Sequence, residues 1–299
     1  MSTEFRRRPG KVAVSLIALS FVATSITIAS EPYVSTGFLR LPSDIEIGAM
    51  SAVAVDGRDR IYVLHRGEPP LLVLDGDQKL LAGWGRNEFK TVHGLRVDSQ
   101  HNVWVTDNAL HVIKRFSRDG EITLTLGQSG KPASGENGLR SPDDLVFDSK
   151  GFIFVADAGN KRVAKFTPDG KYVMEWGGSG KEPGRFATAH GIAVDANDRI
   201  YVADRGNNRV QVFTNEGKLI SAWTQAGNPF GLLITPEGLI VADGDAHRLT
   251  LLNSEGQSLG SWGSPETLKL PHLMSIDQDG VIYVTEVDGK RIQTFKRAK

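Results

Sequence analysis

The sequence predicts an all-β fold, a six-bladed β-propeller, from a sixfold internal repeat, short strand-like phrases in every repeat and regularly placed turns. A phrase of six residues opens each repeat, and it ends in aspartate in every repeat except the fifth. The phrases are SAVAVD, HGLRVD, DDLVFD, HGIAVD, FGLLIT and HLMSID, which begin at Ser51, His93, Asp143, His190, Phe230 and His272. Their starts are 42, 50, 47, 40 and 42 residues apart, a period that is typical of propellers and solenoids.

Each repeat continues with further phrases that indicate strands. A second phrase such as RIYVAD is followed by a third such as RVQVF and a fourth such as KYVMEWG. They are rich in valine, isoleucine and aromatic residues and are apolar or alternating, which favours strands over helices. We expect the glycines between third and fourth phrases to supply the positive φ of tight hairpins. These turns are Asp75-Gly76, Asp119-Gly120, Asp169-Gly170, Glu216-Gly217 and Glu255-Gly256. The tryptophans that end fourth phrases, predicted to pack between blades, are Trp84, Trp176, Trp223 and Trp262.

The ends of the repeat region predict how the ring closes. The last repeat stops at Lys299, just after its third strand phrase, and a strand-like segment from Gly37 to Leu41 precedes the first repeat. We predict that this segment supplies the missing outer strand, because burying that edge would lock the two ends of the chain together. An open solenoid would need polar capping units, which the repeats do not contain. The predicted propeller domain spans residues 35–299.

The first 30 residues are predicted to form a separate segment. A basic stretch from Phe5 to Lys11 precedes an uncharged run from Val12 to Ala29, and a small residue before Ser30 suits cleavage. This pattern is typical of a signal peptide, with an uncleaved membrane anchor as the alternative because the run is long. Paired arginines ahead of the run also suggest twin-arginine export. We therefore expect a secreted or periplasmic propeller, or one anchored to a membrane through residues 1–30.

Composition excludes several function classes. The chain carries 35 basic and 35 acidic residues, so we expect no nucleic-acid partner, which usually requires a basic excess. It contains no cysteine, which excludes disulfides, thiolate metal sites and cysteine nucleophiles. Any contact with a membrane is expected through the N-terminal segment alone.

Three histidines predict a metal site. His93, His190 and His272 open alternate repeats, and alternate blades of a six-bladed ring lie roughly 120° apart, so the three side chains would converge on the axis. One such histidine alone would be better explained by a hydrogen bond at a strand end. Ser51, Asp143 and Phe230 occupy the intervening positions, so histidine is not simply what the repeat prefers there. Three histidines without a fourth protein ligand are the pattern of a catalytic zinc, although imidazole also suits iron, copper or nickel.

A second ring of polar residues ends the second strand phrases. It consists of His65, Asp107, Asp157, Asp204, Asp243 and Glu286. We expect the aspartates to be structural, because a carboxylate at the start of a loop accepts backbone N–H bonds. Arg66 and Arg205 follow this ring in opposite blades, and paired guanidinium groups near a metal would bind a substrate carboxylate. The alternative for Arg205 is a salt bridge to Asp204.

The residues also carry a family resemblance. The phrase GIAVDANDRIYVADRGNNRVQVF (Gly191 to Phe213) resembles an NHL repeat, and this likeness extends from Ser51 to Phe295. The segments VLHRGEP, HGLRVDSQHNVWVTDNALHVIKRF, RFATAHGIAVD and LPHLMSIDQDGVIYV are similar to parts of peptidyl-α-hydroxyglycine α-amidating lyase. That resemblance implies a six-bladed propeller with His93, His190 and His272 as zinc ligands. It also implies that Arg66 and Arg205 are catalytic and bind the carboxylate of a small or peptide-derived substrate, whose C–N bond breaks.

Two positions depart from the family pattern. The family's catalytic tyrosine has no counterpart in the segment ADAGNKR, where Gly159 stands. The acidic residue of the family's calcium site, directly after the third histidine, is replaced by Leu273, which argues against calcium although the carbonyls of Val53 and Leu95 remain available.

Two hypotheses follow from the sequence. One is an exported zinc-dependent lyase; the other is a non-catalytic extracytoplasmic scaffold that binds protein or glycan. Lactonase-type propellers are a third possibility, but their carboxylate-rich calcium site differs from the ring of first positions seen here.

Overall fold

The computed structural model describes Met1, residues 31–57 and residues 59–298, and within these residues the chain forms six four-stranded sheets. The first three sheets contain β2 (Met50–Val55), β3 (Arg60–His65), β4 (Leu71–Asp75) and β5 (Leu80–Trp84); β6 (Val92–Val97), β7 (Val103–Asp107), β8 (Val112–Phe116) and β9 (Ile122–Leu126); and β10 (Pro142–Phe147), β11 (Ile153–Asp157), β12 (Arg162–Phe166) and β13 (Tyr172–Gly177). The last three contain β14 (Ala189–Val194), β15 (Ile200–Asp204), β16 (Arg209–Phe213) and β17 (Leu219–Trp223); β18 (Pro229–Thr235), β19 (Gly238–Asp243), β20 (Arg248–Leu252) and β21 (Ser258–Trp262); and β22 (Pro271–Ile276), β23 (Ile282–Glu286), β24 (Arg291–Arg297) and β1 (Tyr33–Phe38). Short 3-10 turns lie at Gly135–Asn137, Ala158–Asn160, Arg205–Asn207 and Thr224–Ala226.

The sheets are arranged as blades around a central channel. Each sheet is antiparallel, and its innermost strand contacts the innermost strands of the two neighbouring sheets; these strands are β2, β6, β10, β14, β18 and β22. Strand β22 contacts β2, so the ring of innermost strands is closed. The predicted all-β, six-bladed propeller is therefore confirmed.

Strand β1 is the outer strand of the sixth blade and begins earlier than the sequence predicts. It pairs with β24 from Tyr33 opposite Arg297 to Phe38 opposite Gln293, so the predicted segment from Gly37 to Leu41 overlaps only its end. The reason is the side chain of Tyr33, which is buried and stacks on Trp262 of the fifth blade at 5.2 Å between ring centroids. The next three residues, Val34, Ser35 and Thr36, are exposed. They therefore form no apolar or alternating phrase that would mark the start of the strand in the sequence.

The tryptophans pack between blades, as predicted. The ring of Trp84 in the first blade stacks on Phe116 of the second at 6.0 Å, and Trp176 lies 5.8 Å from Phe213 of the next blade. The tryptophan of one blade also lies against the hairpin glycine of the next blade. The pairs are Trp84 with Gly120, Trp176 with Gly217 and Trp223 with Gly256. A Cβ atom added to Gly256 would lie 2.3 Å from the Trp223 ring.

The predicted hairpin glycines have positive φ at four of the five turns. Their φ angles lie between 79° and 89° at the turns that contain Gly120, Gly170, Gly217 and Gly256. The prediction is wrong for the Asp75-Gly76 turn, in which Gln78 has the positive φ, of 64°. That turn closes two residues later, since the Gln78 N–H donates to the Asp75 carbonyl.

The predicted signal or anchor segment, residues 1–30, lies outside the described residues apart from Met1. In the part of the chain that the structure describes, no helix is long and apolar enough to cross a membrane.

The joint between tryptophan and glycine leads to a first prediction. Replacing Gly256 by alanine forces a side chain into a left-handed conformation, φ 79°, and drives its Cβ into Trp223. The conformational cost is about 1–2 kcal/mol, and overpacking adds about 1–3 kcal/mol. Gly280→Ala is the matched control, because Gly280 has φ 73° and its added Cβ meets no atom within 4 Å. Urea denaturation should show a larger loss of unfolding free energy for Gly256→Ala; equal losses would contradict the interblade contact.

Candidate metal centre

The first positions of the repeat are displaced by β-bulges at the inner ends of the blades. In all six innermost strands the pairing register shifts at this point, between Val92 and Leu95 in β6 and between Ala189 and Ile192 in β14, for example. A bulge leaves its residues out of the ladder and redirects their side chains and carbonyls. The six first-position residues are thereby left out of the pairing within their own blades, and the three histidines among them bring their rings together.

The three predicted histidines meet at the axis. The ring centroids of His93, His190 and His272 lie 4.8, 4.8 and 5.1 Å apart, and the rings are nearly perpendicular to one another. One nitrogen of each ring lies within 4.8 Å of the corresponding nitrogens of the others. All three side chains are buried, at 3–5% exposure. This cluster can hold a metal ion.

Backbone carbonyls determine which nitrogen each histidine presents. The Nδ1 atoms of His93, His190 and His272 lie 2.8, 2.7 and 2.6 Å from the carbonyl oxygens of Asp143, Phe230 and Ser51. A carbonyl oxygen only accepts, so each Nδ1 must carry the proton and donate it. Nε2 is then left unprotonated with its lone pair available, which is the tautomer a metal ligand needs. The sequence did not identify these orienting partners, which are main-chain atoms of the intervening first positions.

The electrostatics of the cluster favour neutral imidazole. Burial lowers the pKa of His93 and His190 well below the usual 6.5, with a smaller contribution from neighbouring histidine charge. Burial also lowers the pKa of His272 to about 4. Arg66 contributes to the lowering in all three, and Arg205 in His190 and His272, so both arginines lie near the cluster.

The two arginines have different surroundings. The guanidinium of Arg205 stacks on the ring of Phe230 with its Cζ 3.7 Å from the ring centroid, which fixes the plane of the group. Arg66 is exposed on the loop after β3, where its N–H donates to the Ala49 carbonyl. The alternative of a salt bridge between Arg205 and Asp204 is wrong, because Asp204 pairs with Arg209 at 2.8 Å.

The ring of carboxylates behind the arginines is structural, as expected. Asp107 accepts the backbone N–H groups of Lys90 and Thr91 with one oxygen and those of Ala109 and Leu110 with the other. Asp204 and Glu286 accept backbone N–H groups in their own blades in the same way. The contact of Asp204 holds the chain at Ala187, next to the loop on which Arg205 lies.

A carboxylate that the sequence did not assign to the site lies beside the histidines. Asp143 is 6% exposed, and its Oδ2 lies 3.9 Å from Nε2 of His190. Burial raises the pKa of Asp143 to about 8, against the effect of a hydrogen bond from Asn108. The one feature of the sequence that could have placed Asp143 near the histidines is its position at the start of the third repeat.

Further along the innermost strands, an ion pair joins the second blade to the third. The guanidinium of Arg96 lies 2.5 Å from Asp144 and also donates to the Leu95 carbonyl. Burial raises the pKa of Asp144 to about 6, and Arg96 opposes that rise. Beyond it, the later residues of all six innermost strands line a largely apolar cavity of about 230 Å³. The Leu95 carbonyl, which the sequence left available for calcium, thus already has a cationic partner.

The position of the missing tyrosine cannot take a side chain without a local shift. A Cβ atom on Gly159 would lie 2.5 Å from the carbonyl oxygen of Arg140, which already accepts the Gly159 N–H at 2.9 Å. The loop at Gly159 is thus closely packed against Arg140.

Comparisons with known proteins agree with the repeat architecture. The NHL repeat model matches residues 139–166 and 186–213. NHL repeat-containing protein 3 of Mus musculus is 33% identical over 281 aligned positions, and the match covers 85% of this chain and 81% of that protein. Peptidyl-alpha-hydroxyglycine alpha-amidating lyase 1 of Drosophila melanogaster is 31% identical over 121 aligned positions, and the match covers 31% of this chain and 22% of the lyase. The chain thus matches well under two thirds of the length of that homologue.

Solved structures agree with the fold. A catalytically inactive virginiamycin B lyase from Staphylococcus aureus superposes with a TM-score of 0.66 over 89% of this chain and all of the other, at 14% identity. At this identity the likeness concerns the fold alone.

The hydrogen-bonded histidines lead to a second prediction. In metal-free protein, the three imidazoles should stay neutral as the pH falls below about 6.5, where an ordinary histidine takes up a proton. Because the folded-state pKa values are depressed, the unfolded chain binds more protons in this range. The histidines' contribution to stability is therefore full above about pH 6.5 and falls as the pH is lowered toward the folded pKa, about 4 for His272. Nitrogen-15 NMR should show protonated Nδ1 and unprotonated Nε2; ordinary titration near 6.5 would contradict the arrangement.

Proposed function

The chain belongs to the NHL-repeat family that includes NHL repeat-containing protein 3, and we propose that its propeller binds zinc at the three clustered histidines. We propose further that its central site cleaves a C–N bond in a hydroxyglycine-type carboxylate substrate, as the name of the homologous amidating lyase suggests. The observation that carries the proposal is the buried trio of histidines with Nδ1 bonded and Nε2 free. Zinc is the ion that best suits three neutral imidazoles with an open coordination position.

The donor set fits such an ion. The three nitrogens come from rigid strands, are nearly excluded from water and need no proton loss before they bind. When bound, zinc would act as a Lewis acid and lower the pKa of the hydroxyl group on the substrate's α-carbon.

The arginines suit the other end of the substrate. A hydroxyglycine carries its carboxylate on the same carbon as the hydroxyl group, so a substrate at the histidines places its carboxylate within a few ångströms of them. Arg205, held flat on Phe230, and Arg66 on the opposite blade would bind this carboxylate. In the reaction the hydroxyl loses its proton, the C–N bond breaks, and the nitrogen gains a proton. The products are an amide and glyoxylate.

We also propose that the propeller acts outside the cytoplasm, after export directed by residues 1–30 or while anchored through them. The basic stretch followed by an uncharged run supports this. As a test, a reporter enzyme that is active only outside the cytoplasm can be fused after Ser30. The reporter should be active because this segment exports it; an inactive reporter that stays in the cytoplasm would contradict the proposal.

Metal analysis gives a third prediction. Protein purified without added metal should contain about one zinc ion per chain, and the triple variant His93→Ala, His190→Ala, His272→Ala should contain none. Zinc-loaded protein should convert α-hydroxyhippurate to benzamide and glyoxylate. If the protein binds zinc but does not convert this substrate, the proposed lyase activity is wrong. If wild-type protein holds no metal and His93→Ala functions normally in the cell, the alternative of a non-catalytic scaffold for protein or glycan is correct.

The arginines give a fourth prediction. Arg205→Gln should lower kcat/KM for a carboxylate substrate roughly 10–100-fold, about 1.4–2.7 kcal/mol, while zinc content stays at the wild-type level. Arg205→Lys should recover only part of the loss, because lysine keeps the charge but not the planar stack on Phe230. Arg86→Gln, at an exposed position after β5, is the control and should leave kcat/KM unchanged. An unaffected kcat/KM in Arg205→Gln would contradict the carboxylate role.

A further inference from the structure

The ion pair between Arg96 and Asp144 lies a few residues beyond the histidines on the innermost strands. Arg96 follows His93 by three residues on β6, and Asp144 is the second residue of the third repeat, on β10. Both side chains are largely buried, and Nη2 of Arg96 lies 2.5 Å from Oδ2 of Asp144. The blade that carries Asp144 lies between the two blades that carry His93 and His190. The pair therefore lies where it can connect those two blades.

Both partners of the pair also bind strand β14 of the fourth blade. Oδ2 of Asp144 accepts the N–H of Ile192 at 3.2 Å, and Nη2 of Arg96 donates to the Ile192 carbonyl at 3.4 Å. Nη1 of Arg96 donates to the carbonyl of Leu95 on its own strand at 3.2 Å. Leu95 and Ile192 each lie two residues after a clustered histidine. One guanidinium thus connects the same main-chain position after two of the three histidines.

The histidine of the fourth blade lacks a contact that the other two have. In the second and sixth blades, Thr106 and Thr285 donate at 3.0 and 3.5 Å to the carbonyl that accepts from the histidine of that blade. The fourth blade has Ala203 at the corresponding position of its second strand. Among the described residues, the main chain of β14 receives side-chain hydrogen bonds only at Ile192, and both come from the ion pair. The position of His190 therefore depends on this pair.

We propose that Arg96 and Asp144 are positioning residues of the metal centre, which fix the separation of His93 and His190 and thereby the affinity for a metal ion. The β-bulges leave these histidines outside the ladders of their own blades, so contacts between blades decide where the rings lie. Neither Arg96 nor Asp144 binds the metal, and the open coordination position stays free for the substrate. The inference rests on the proposed metal centre and does not depend on the lyase reaction.

A double variant, Arg96→Met with Asp144→Asn, tests this role. It removes one positive and one negative charge, so the net charge near the histidines is unchanged and no buried charge is left unpaired. Such paired replacements are often close to neutral for stability, so the metal-free variant should keep about the wild-type Tm. The affinity for Zn²⁺ and Co²⁺, measured by competition with a chelator, should fall about 10–100-fold, as is typical when the partners that place metal ligands are lost. The visible spectrum of the Co²⁺ form should change as well.

The matched control is Arg199→Met with Asp195→Asn. This ion pair lies in the same blade as His190, with Nε of Arg199 2.6 Å from Oδ2 of Asp195, but it joins residues of a single turn rather than two blades. The control should keep the wild-type metal affinity and Co²⁺ spectrum. Arg96→Lys keeps the charge opposite Asp144 but lacks the planar group that reaches both carbonyls. Its metal affinity should also fall, though by less than that of the double variant.

The outcomes separate this inference from the proposals on which it builds. A metal affinity of the double variant within about 10-fold of wild type overturns the positioning role, as does an equal loss in the control. If the double variant does not fold, wild-type affinity in Arg96→Lys overturns it instead. If wild-type protein binds neither ion, the metal centre and this inference fail together. If wild type binds zinc without converting α-hydroxyhippurate and the double variant binds it more weakly, only the lyase fails and the positioning role is supported.

Discussion

The hydrogen bonds between histidine Nδ1 and a carbonyl of the next blade are the interactions on which the centre of this propeller depends. They join the second blade to the third, the fourth to the fifth and the sixth to the first, so the last of them also links the two ends of the ring. The bulges make these bonds possible, because they leave the carbonyls of Ser51, Asp143 and Phe230 without a ladder partner. Buried carbonyls need donors, and the imidazoles provide them. The same bonds set the tautomer that turns Nε2 to the axis.

Close packing is the condition for these bonds. A Cβ atom on Gly94 would lie 2.6 Å from the Asp143 carbonyl oxygen, and one on Gly191 would lie 2.5 Å from that of Phe230. Glycine after the first two histidines therefore lets the carbonyls approach the imidazoles. Ser51 of the first blade also binds the second blade next to His93, because its hydroxyl donates to the His93 carbonyl at 2.8 Å. The resulting centre is rigid and nearly dry, whereas Arg66, which we place at the substrate, lies on an exposed loop.

Two adjacent carboxylates on β10 illustrate how position decides chemistry. Asp144 meets a guanidinium and joins three blades through Arg96 and the Ile192 backbone. The carboxylate of Asp143, one residue earlier and inside the bulge, lies 3.9 Å from Nε2 of His190 instead. A residue that joins the blades through an arginine and one that lies beside a clustered histidine thus differ by a single step along a strand.

The sequence by itself determined the fold and the identity of the three histidines. Periodic apolar phrases specify strands, and a sixfold period specifies a ring, so residues that recur at one position must meet at the axis. The sequence could not determine which imidazole nitrogen faces the axis, because the hydrogen-bond partners of the histidines are main-chain carbonyls, which every residue carries. It likewise assigned Gly76 the positive φ that Gln78 adopts, and it left Asp143 as a spacer between histidines. Only the tertiary structure decided these points, since bulges, burial and contacts between blades arise from the packing of residues 40 or more positions apart.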